Sequence, residues 1–193
     1  MRKLWNSGVN LFSMLTAPSS RAPSNPPTGN GHDFEFTGID SAPLKLSAWR
    51  GRPLLIVNTA SLCGFTKQYG DLQELWRRYE SAGLIVIAVP SNDFGEQEPD
   101  ADGEIRAFCQ GVFGVTFPIA SKQPVIGPDA HPFYKWAADA VGPGGAPTWN
   151  FHKYLVGRDG QLLRSFSTRL SPTSTEIISW IEKAIEQPTP AAA

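Results

Sequence analysis

An α/β fold whose central sheet is covered on both faces is predicted by three features of the sequence. The segments "PLLIVN" (53–58) and "LIVIAVP" (84–90) are apolar along almost their whole length, which marks strands buried on both sides. Between them Leu72, Leu75, Trp76 and Tyr79 recur at helical spacing from Tyr69 onward, with Arg77, Arg78 and Glu80 interleaved, and the pattern stops at Gly83. Strand, helix and strand in that order make a right-handed βαβ unit. Residues just after its first strand sit at the carboxyl end of the sheet, where ligand sites of such folds belong.

The other elements follow from local patterns. "FEFTGIDSAPLKL" (34–46) holds two short alternating runs around a Gly/Asp/Ser/Pro connection and reads as an opening β-hairpin. Ile105, Phe108, Cys109, Val112 and Phe113 mark one face of a second, shorter helix that Gly111 interrupts. A third helical stretch, "HPFYKWAADA" (131–140), leads into the "VGPGGAPT" loop. "FHKYLVGRDGQLLRSFS" (151–167) then reads as a hairpin turning at Asp159-Gly160. "SPTSTEIISWIEKAIEQ" (171–187) closes the chain as a helix with Ser/Thr capping candidates and Ile177, Ile178, Ile181 and Ile185 on one face. No internal repeat is visible. The order of elements fits a thioredoxin-like α/β sandwich: a central mixed β-sheet flanked by helices and preceded by an N-terminal β-hairpin.

Composition narrows the function classes. With 193 residues, 41% of them hydrophobic, the chain has enough for one full core and too little for two large domains. A net charge of −1 and no long run of Lys or Arg argue against nucleic acid or an anionic membrane as partner. Residues 1–32 hold Arg2, Lys3 and Arg21 but no acid, and end in a Pro/Ser/Gly-rich stretch. They read as a flexible extension or weak targeting segment before a domain over 33–187, with 188–193 a disordered tail. No window has the uninterrupted apolar length of a membrane span, so stable membrane insertion is not expected. The favoured location is cytoplasmic, with export or organelle import through residues 1–32 as the alternative.

Chemistry centres on "NTASLCGFT" (58–66), which sets Cys63 in a small, polar turn between the first apolar strand and a helix expected to begin near Thr66. Backbone N–H groups and the helix start would favour a thiolate there; the competing reading is a small hydrophobe closing a turn. Cys109 falls on the apolar face of its helix and reads by default as a core residue, unless an oxidised Cys63 recruits it. The two cysteines form neither a Cys-x-x-Cys pair nor a zinc-ligand spacing, and no protease-like signature surrounds Cys63. "PSNDFGEQEP" crowds Ser91, Asn92, Asp93 and Gln97 into the connection at the site end of the sheet, and "PTWNFHKY" begins a strand with Trp149 and Asn150, potential donors to an anion. Alone, the first reads as a polar turn and the second as packing.

Together these segments resemble the glutathione peroxidase family, in its cysteine-containing, thioredoxin-dependent branch, from about Asp33 to Gln187. "NTASLCGFT" is similar to the motif around the peroxidatic residue, "SNDFGEQEP" to the "CNQFGGQEP" type, "VTFP" (115–118) to the third signature and "WNFHKYLVGRDG" (149–160) to the "WNF-K-LV" segment. The resemblance implies that Cys63 is the peroxidatic nucleophile, that Gln97, Trp149 and Asn150 complete a catalytic tetrad, and that Cys109 is the resolving thiol. Ser91 and Asp93 depart from the motif's Cys and Gln, and Leu62 stands where many members have lysine. The short span between Cys109 and Trp149 leaves no room for the oligomerisation loop of tetrameric members, which implies a monomer. The implied activity is reduction of hydrogen peroxide and organic or lipid hydroperoxides without a cofactor, with thioredoxin as reductant ahead of glutathione. A non-catalytic redox sensor or metal-binding module on the same fold is the alternative.

Overall fold

The computed structural model describes residues 18–25 and 28–188. Strands β4 (Leu54–Thr59) and β5 (Ile85–Pro90) pair in parallel through helix α1 (Gln68–Tyr79), as the apolar runs and helical spacing between them predict. Both strands are buried at every residue. Helix α2 spans Asp102–Phe113 and α3 spans Pro132–Val141. The hairpin of β6 (Lys153–Val156) and β7 (Leu162–Phe166) precedes the closing helix α4 (Thr175–Glu186). The 34–46 segment forms the predicted hairpin, β2 (Glu35–Thr37) against β3 (Pro43–Lys45), as a separate two-stranded sheet.

Within the main sheet the order is β1-β7-β6-β4-β5, with β1 the two-residue strand Ser20–Arg21. Only β4 and β5 run parallel; β6 lies antiparallel to β4, and β7 to β6. Alternation along the strands divides the core in two. Leu55, Val57, Val86 and Ala88 face Tyr69, Leu72 and Leu75 of α1, Ile105 and Cys109 of α2, and Ile177 and Ile181 of α4. Leu54, Ile56, Ile85 and Ile87 face Phe133, Tyr134 and Ala137 of α3, and Phe36 and Leu46 of the hairpin region. At about 25 cal/mol per Å² of apolar surface, each fully buried Leu or Ile here is worth roughly 2 kcal/mol.

Three local expectations are corrected. Helix α1 opens at Gln68, because residues 61–67 form a series of tight turns in which Thr66 N–H donates to Cys63 C=O at 3.0 Å and Gln68 N–H to Phe65 C=O at 2.9 Å. Helix α2 runs unbroken through Gly111. Its ends explain why: Glu104 Oε2 accepts from Ala101 N–H at 3.0 Å, and Gly114 closes it in the left-handed conformation at φ 61°. Trp149 and Asn150 sit in the turn before β6, which starts only at Lys153.

The N-terminal stretch is tied along the sheet. Ser20 and Arg21 pair with Phe166 and Ser165, Ser19 C=O accepts from Ser167 N–H at 2.8 Å, and Arg21 Nη1 donates to Gly144 C=O at 2.9 Å. Ser24 Oγ donates to Val141 C=O at 2.7 Å, and Asn30 Nδ2 to Asp159 C=O at 2.9 Å. The targeting features of residues 1–17 and the end of the expected tail, 189–193, lie outside the described residues. Among the described residues no helix is long and apolar enough to cross a membrane.

Candidate active site

Strand β4 delivers its carboxyl end to the turn that carries Cys63. Thr66 organises that turn, accepting from Cys63 N–H at 3.0 Å through Oγ1 and donating the same hydroxyl to Ala60 C=O at 2.9 Å. Cys63 is 8% exposed, so its thiol lies just beneath the surface. The donor aimed at its sulfur is a turn N–H, from Phe65 at 3.4 Å, and a donor so placed stabilises negative charge on sulfur. Beside it Leu62 is 64% exposed, an apolar side chain left in solvent next to the thiol.

The segment after β5 is fastened to this turn. Leu62 N–H donates to Gln97 C=O at 3.0 Å, and Ser61 Oγ donates to Glu98 Oε2 at 3.1 Å. Asn92 Oδ1 accepts from Glu98 N–H at 2.8 Å, and Asp93 Oδ2 accepts from Val125 and Ile126 N–H, so this polar connection braces its own loop and the next. Across from it, Asn150 Nδ2 donates to Gln97 Oε1 at 2.9 Å. That bond uses the acceptor end of the Gln97 amide and leaves its Nε2 hydrogens available to another acceptor. Trp149 packs its ring at 5.9 Å from Phe94, and its carbonyl accepts from Asn58 Nδ2 at 3.0 Å. Gln97 and Asn150 are thus in direct contact, Trp149 is next to Asn150 in the same turn, and Gln97 is bonded to the residue preceding Cys63.

Cys109 is fully buried on α2, in the same apolar cluster as Cys63, and the two thiols are free. Burial pushes the Cys109 thiol up to about 11, with the nearby Tyr69 hydroxyl pulling the other way. At neutral pH it is a protonated, inert thiol for as long as α2 stays in place. His152 is no base for either sulfur: burial, together with the Lys153 charge, holds it near 3, and its Nε2 lies 2.8 Å from Ser165 Oγ. Among the described residues no three His, Cys, Asp or Glu side chains gather as a metal site.

Glu98, Asn58 and Ser61 hold the site yet escape a sequence reading, because each acts through a hydrogen bond to a residue that only the fold brings near, whereas Thr66 works on the backbone of its own turn. Burial raises the Glu98 carboxyl to about 7, outweighing the opposing bonds from Ser61. Native Glu98 therefore keeps a proton that the unfolded chain releases at lower pH, and stability falls as pH rises from about 4.5 to about 7. With allowance for screening this is worth about 2 kcal/mol. We expect Glu98→Gln to raise the melting temperature by roughly 5 °C at pH 8, with the gain shrinking toward pH 5. A gain equal at both pH values, in calorimetry, would contradict this account of Glu98.

Comparison with known proteins agrees with this geometry. The family model described as glutathione peroxidase matches residues 32–138. The chain is 42% identical over 163 residues to a hydroperoxy fatty acid reductase of Synechocystis, covering 80% of this chain and 95% of that one. It is 41% identical over 147 residues to a glutathione peroxidase-like peroxiredoxin of Schizosaccharomyces pombe, covering 75% and 93%. Among solved structures, the crystal structure of Trgpx in apo form superposes with a TM-score of 0.68 at 33% identity, over 84% of this chain and 100% of that one. A thioredoxin-family thiol:disulfide interchange protein of Chlorobium tepidum, 13% identical with a TM-score of 0.61 over 85% of this chain and 99% of that one, shares the fold.

Proposed function

Since the chain belongs to the glutathione peroxidase family, we propose that its peroxidase activity runs through Cys63, with Gln97, Trp149 and Asn150 as the donors that serve it and Cys109 as the resolving thiol. The protein is a thiol-dependent peroxidase, an oxidoreductase with a hydroperoxide as acceptor. The observation that carries the site assignment is the bond from Leu62 to Gln97, which ties the turn holding Cys63 to an amide that Asn150 orients.

The steps follow from the residues. The Cys63 thiolate attacks the terminal peroxide oxygen in line with the O–O bond, and that bond breaks as the S–O bond forms. Negative charge moves onto the departing oxygen, where the Gln97 amide and the Trp149 indole N–H act as donors, and a proton from solvent completes water or the alcohol. Removing one such donor typically costs about 3 kcal/mol. Cys63 is left as a sulfenic acid. Cys109 then attacks that sulfur, the S–O bond breaks, hydroxide leaves as water with the proton released by Cys109, and a 63–109 disulfide results. A dithiol reductant, for which thioredoxin is the candidate, restores both thiols by exchange. Fatty-acid hydroperoxides are candidate substrates, in keeping with the name of the Synechocystis relative and with the exposed Leu62 beside Cys63. We take the working form to be a monomer.

Resolution requires Cys109 to leave its buried place, and α2 is built to allow it. Only Ile105 and Cys109 of its residues are buried, and open space surrounds the Cα of Gly111 where a methyl would go. We expect Gly111→Ala to stabilise the helix by about 1 kcal/mol and slow disulfide formation about fivefold, leaving the first oxidation unchanged. Stopped-flow fluorescence separates the two phases. The assignment as a whole is tested by mass spectrometry after one equivalent of peroxide: a two-hydrogen loss mapping to a 63–109 disulfide is expected, and an unmodified Cys63 would overturn it.

A further inference from the structure

The hydrogen bonds around Cys63 close into a ring whose far side has so far played no part. Phe65 N–H points at Cys63 Sγ, and Phe65 C=O accepts from Gln68 N–H at 2.9 Å. Gln68 Nε2 donates to Thr168 C=O at 2.8 Å, and Thr168 Oγ1 donates to Asn150 C=O at 2.7 Å. Asn150 Nδ2 reaches Gln97 Oε1, and Gln97 C=O returns to Leu62 N–H beside the thiol. Gln68 and Thr168 are 4% and 2% exposed, so water does not compete for these bonds.

Thr168 holds one of two places where the ring runs beside a left-handed residue, the other being Glu96, at φ 53° before Gln97. Phe151, directly after Asn150, has φ 63°, a left-handed conformation that a bulky residue adopts at a cost of about 1–3 kcal/mol and keeps only where its surroundings over-determine it. Its N–H donates to Asn58 C=O and its carbonyl accepts from the buried Lys153 Nζ at 2.8 Å, while the same Nζ reaches Leu170 C=O at 2.8 Å. Lys153 therefore fixes the carbonyl after Asn150 to the 167–171 loop, and Thr168 fixes the carbonyl of Asn150 itself. The second bond of Thr168 ties the same loop to the first residue of the helix that follows the thiol.

Resting on the reading of Cys63, Gln97 and Asn150 as the peroxide site, we propose that Thr168, backed by Gln68, is a positioning residue that fixes Asn150 and thereby aims the Gln97 amide at the departing peroxide oxygen. It touches no substrate. Its effect belongs to the oxidation step, where a small misplacement of a donor weakens stabilisation of the developing charge, and not to the intrinsic reactivity of the sulfur toward a reagent that needs no such donor.

Thr168→Val keeps shape and volume but removes the hydroxyl, and Thr168→Ser restores it. We expect Thr168→Val to slow oxidation of Cys63 by peroxide about tenfold, with alkylation of Cys63 by iodoacetamide unchanged and Thr168→Ser close to wild type. Oxidation of Thr168→Val at the wild-type rate would overturn the proposal, and so would an equal slowing of oxidation and alkylation, which marks a general loosening of the turn. Should Thr168→Val not fold, Gln68→Met reads the same split from the other side of the ring. The controls keep two failures apart: wild-type protein whose Cys63 ignores peroxide defeats the peroxide-site reading, whereas equal oxidation of both proteins at Cys63 defeats only the role of Thr168.

Discussion

Cys63→Ser is expected to reduce peroxide turnover by at least about a thousandfold, to the background of buffer and reductant alone. The argument is specific to sulfur. A serine hydroxyl fits the turn, and the cysteine backbone bond to Thr66 Oγ1 is kept, so the fold should survive with its melting temperature little changed. What disappears is a soft, ionisable atom that can take up oxygen and hand it on as water. Serine at neutral pH remains a neutral alcohol, and the Phe65 N–H has no anion to stabilise. A coupled assay following reductant consumption with hydrogen peroxide checks this. Turnover within tenfold of wild type would remove Cys63 from the mechanism and shift attention to Cys109, which its burial makes a poor nucleophile.

Cys109→Ser should divide the cycle in two. The first oxidation proceeds at the wild-type rate, because Cys109 is buried on α2 with its thiol beside the Tyr69 hydroxyl, away from the peroxide's approach to Cys63. Thioredoxin-coupled turnover then falls to near zero after one equivalent of peroxide per chain, since no second thiol condenses with the sulfenic acid. Excess peroxide drives that stranded acid on to the sulfinic form, visible as a gain of two oxygens on the Cys63 peptide. Full coupled activity in this variant would show that an external thiol resolves Cys63 directly. The thioredoxin supplied in that assay would then be the resolving thiol, and the Gly111→Ala effect on disulfide formation would lose its meaning.

Sequence and structure agree where a single segment carries its own instruction. β4 and β5 are buried on both faces because their residues are apolar except for Asn58 and Thr59 at the end of β4, and that pattern is visible without any partner. The order of the motifs around Cys63, Gln97, Trp149 and Asn150 could likewise be read along the chain. Helix α2 was harder: Gly111 reads as a break, but Glu104 and Gly114 fasten the two ends and the glycine faces open space, so nothing forces the helix apart. The turn at Trp149 to Phe151 was harder still, since a left-handed phenylalanine has no signature of its own and depends on Asn58 and Lys153. Gln68 and Thr168 are a hundred positions apart. A glutamine in a first helical turn and a threonine after a strand are ordinary residues until the fold joins them.

The short strand β1 has a consequence for how the protein is handled. By lying against β7, Ser20 and Arg21 occupy backbone donors and acceptors that would otherwise face solvent as a ready template for another chain. Trimming the polypeptide to the residues that match the family, from 32 onward, would uncover that row and take away the anchor at Ser167, one residue from Thr168. Shortened material should therefore self-associate and lose solubility on concentration, a hazard that the untrimmed sequence guards against with a strand only two residues long.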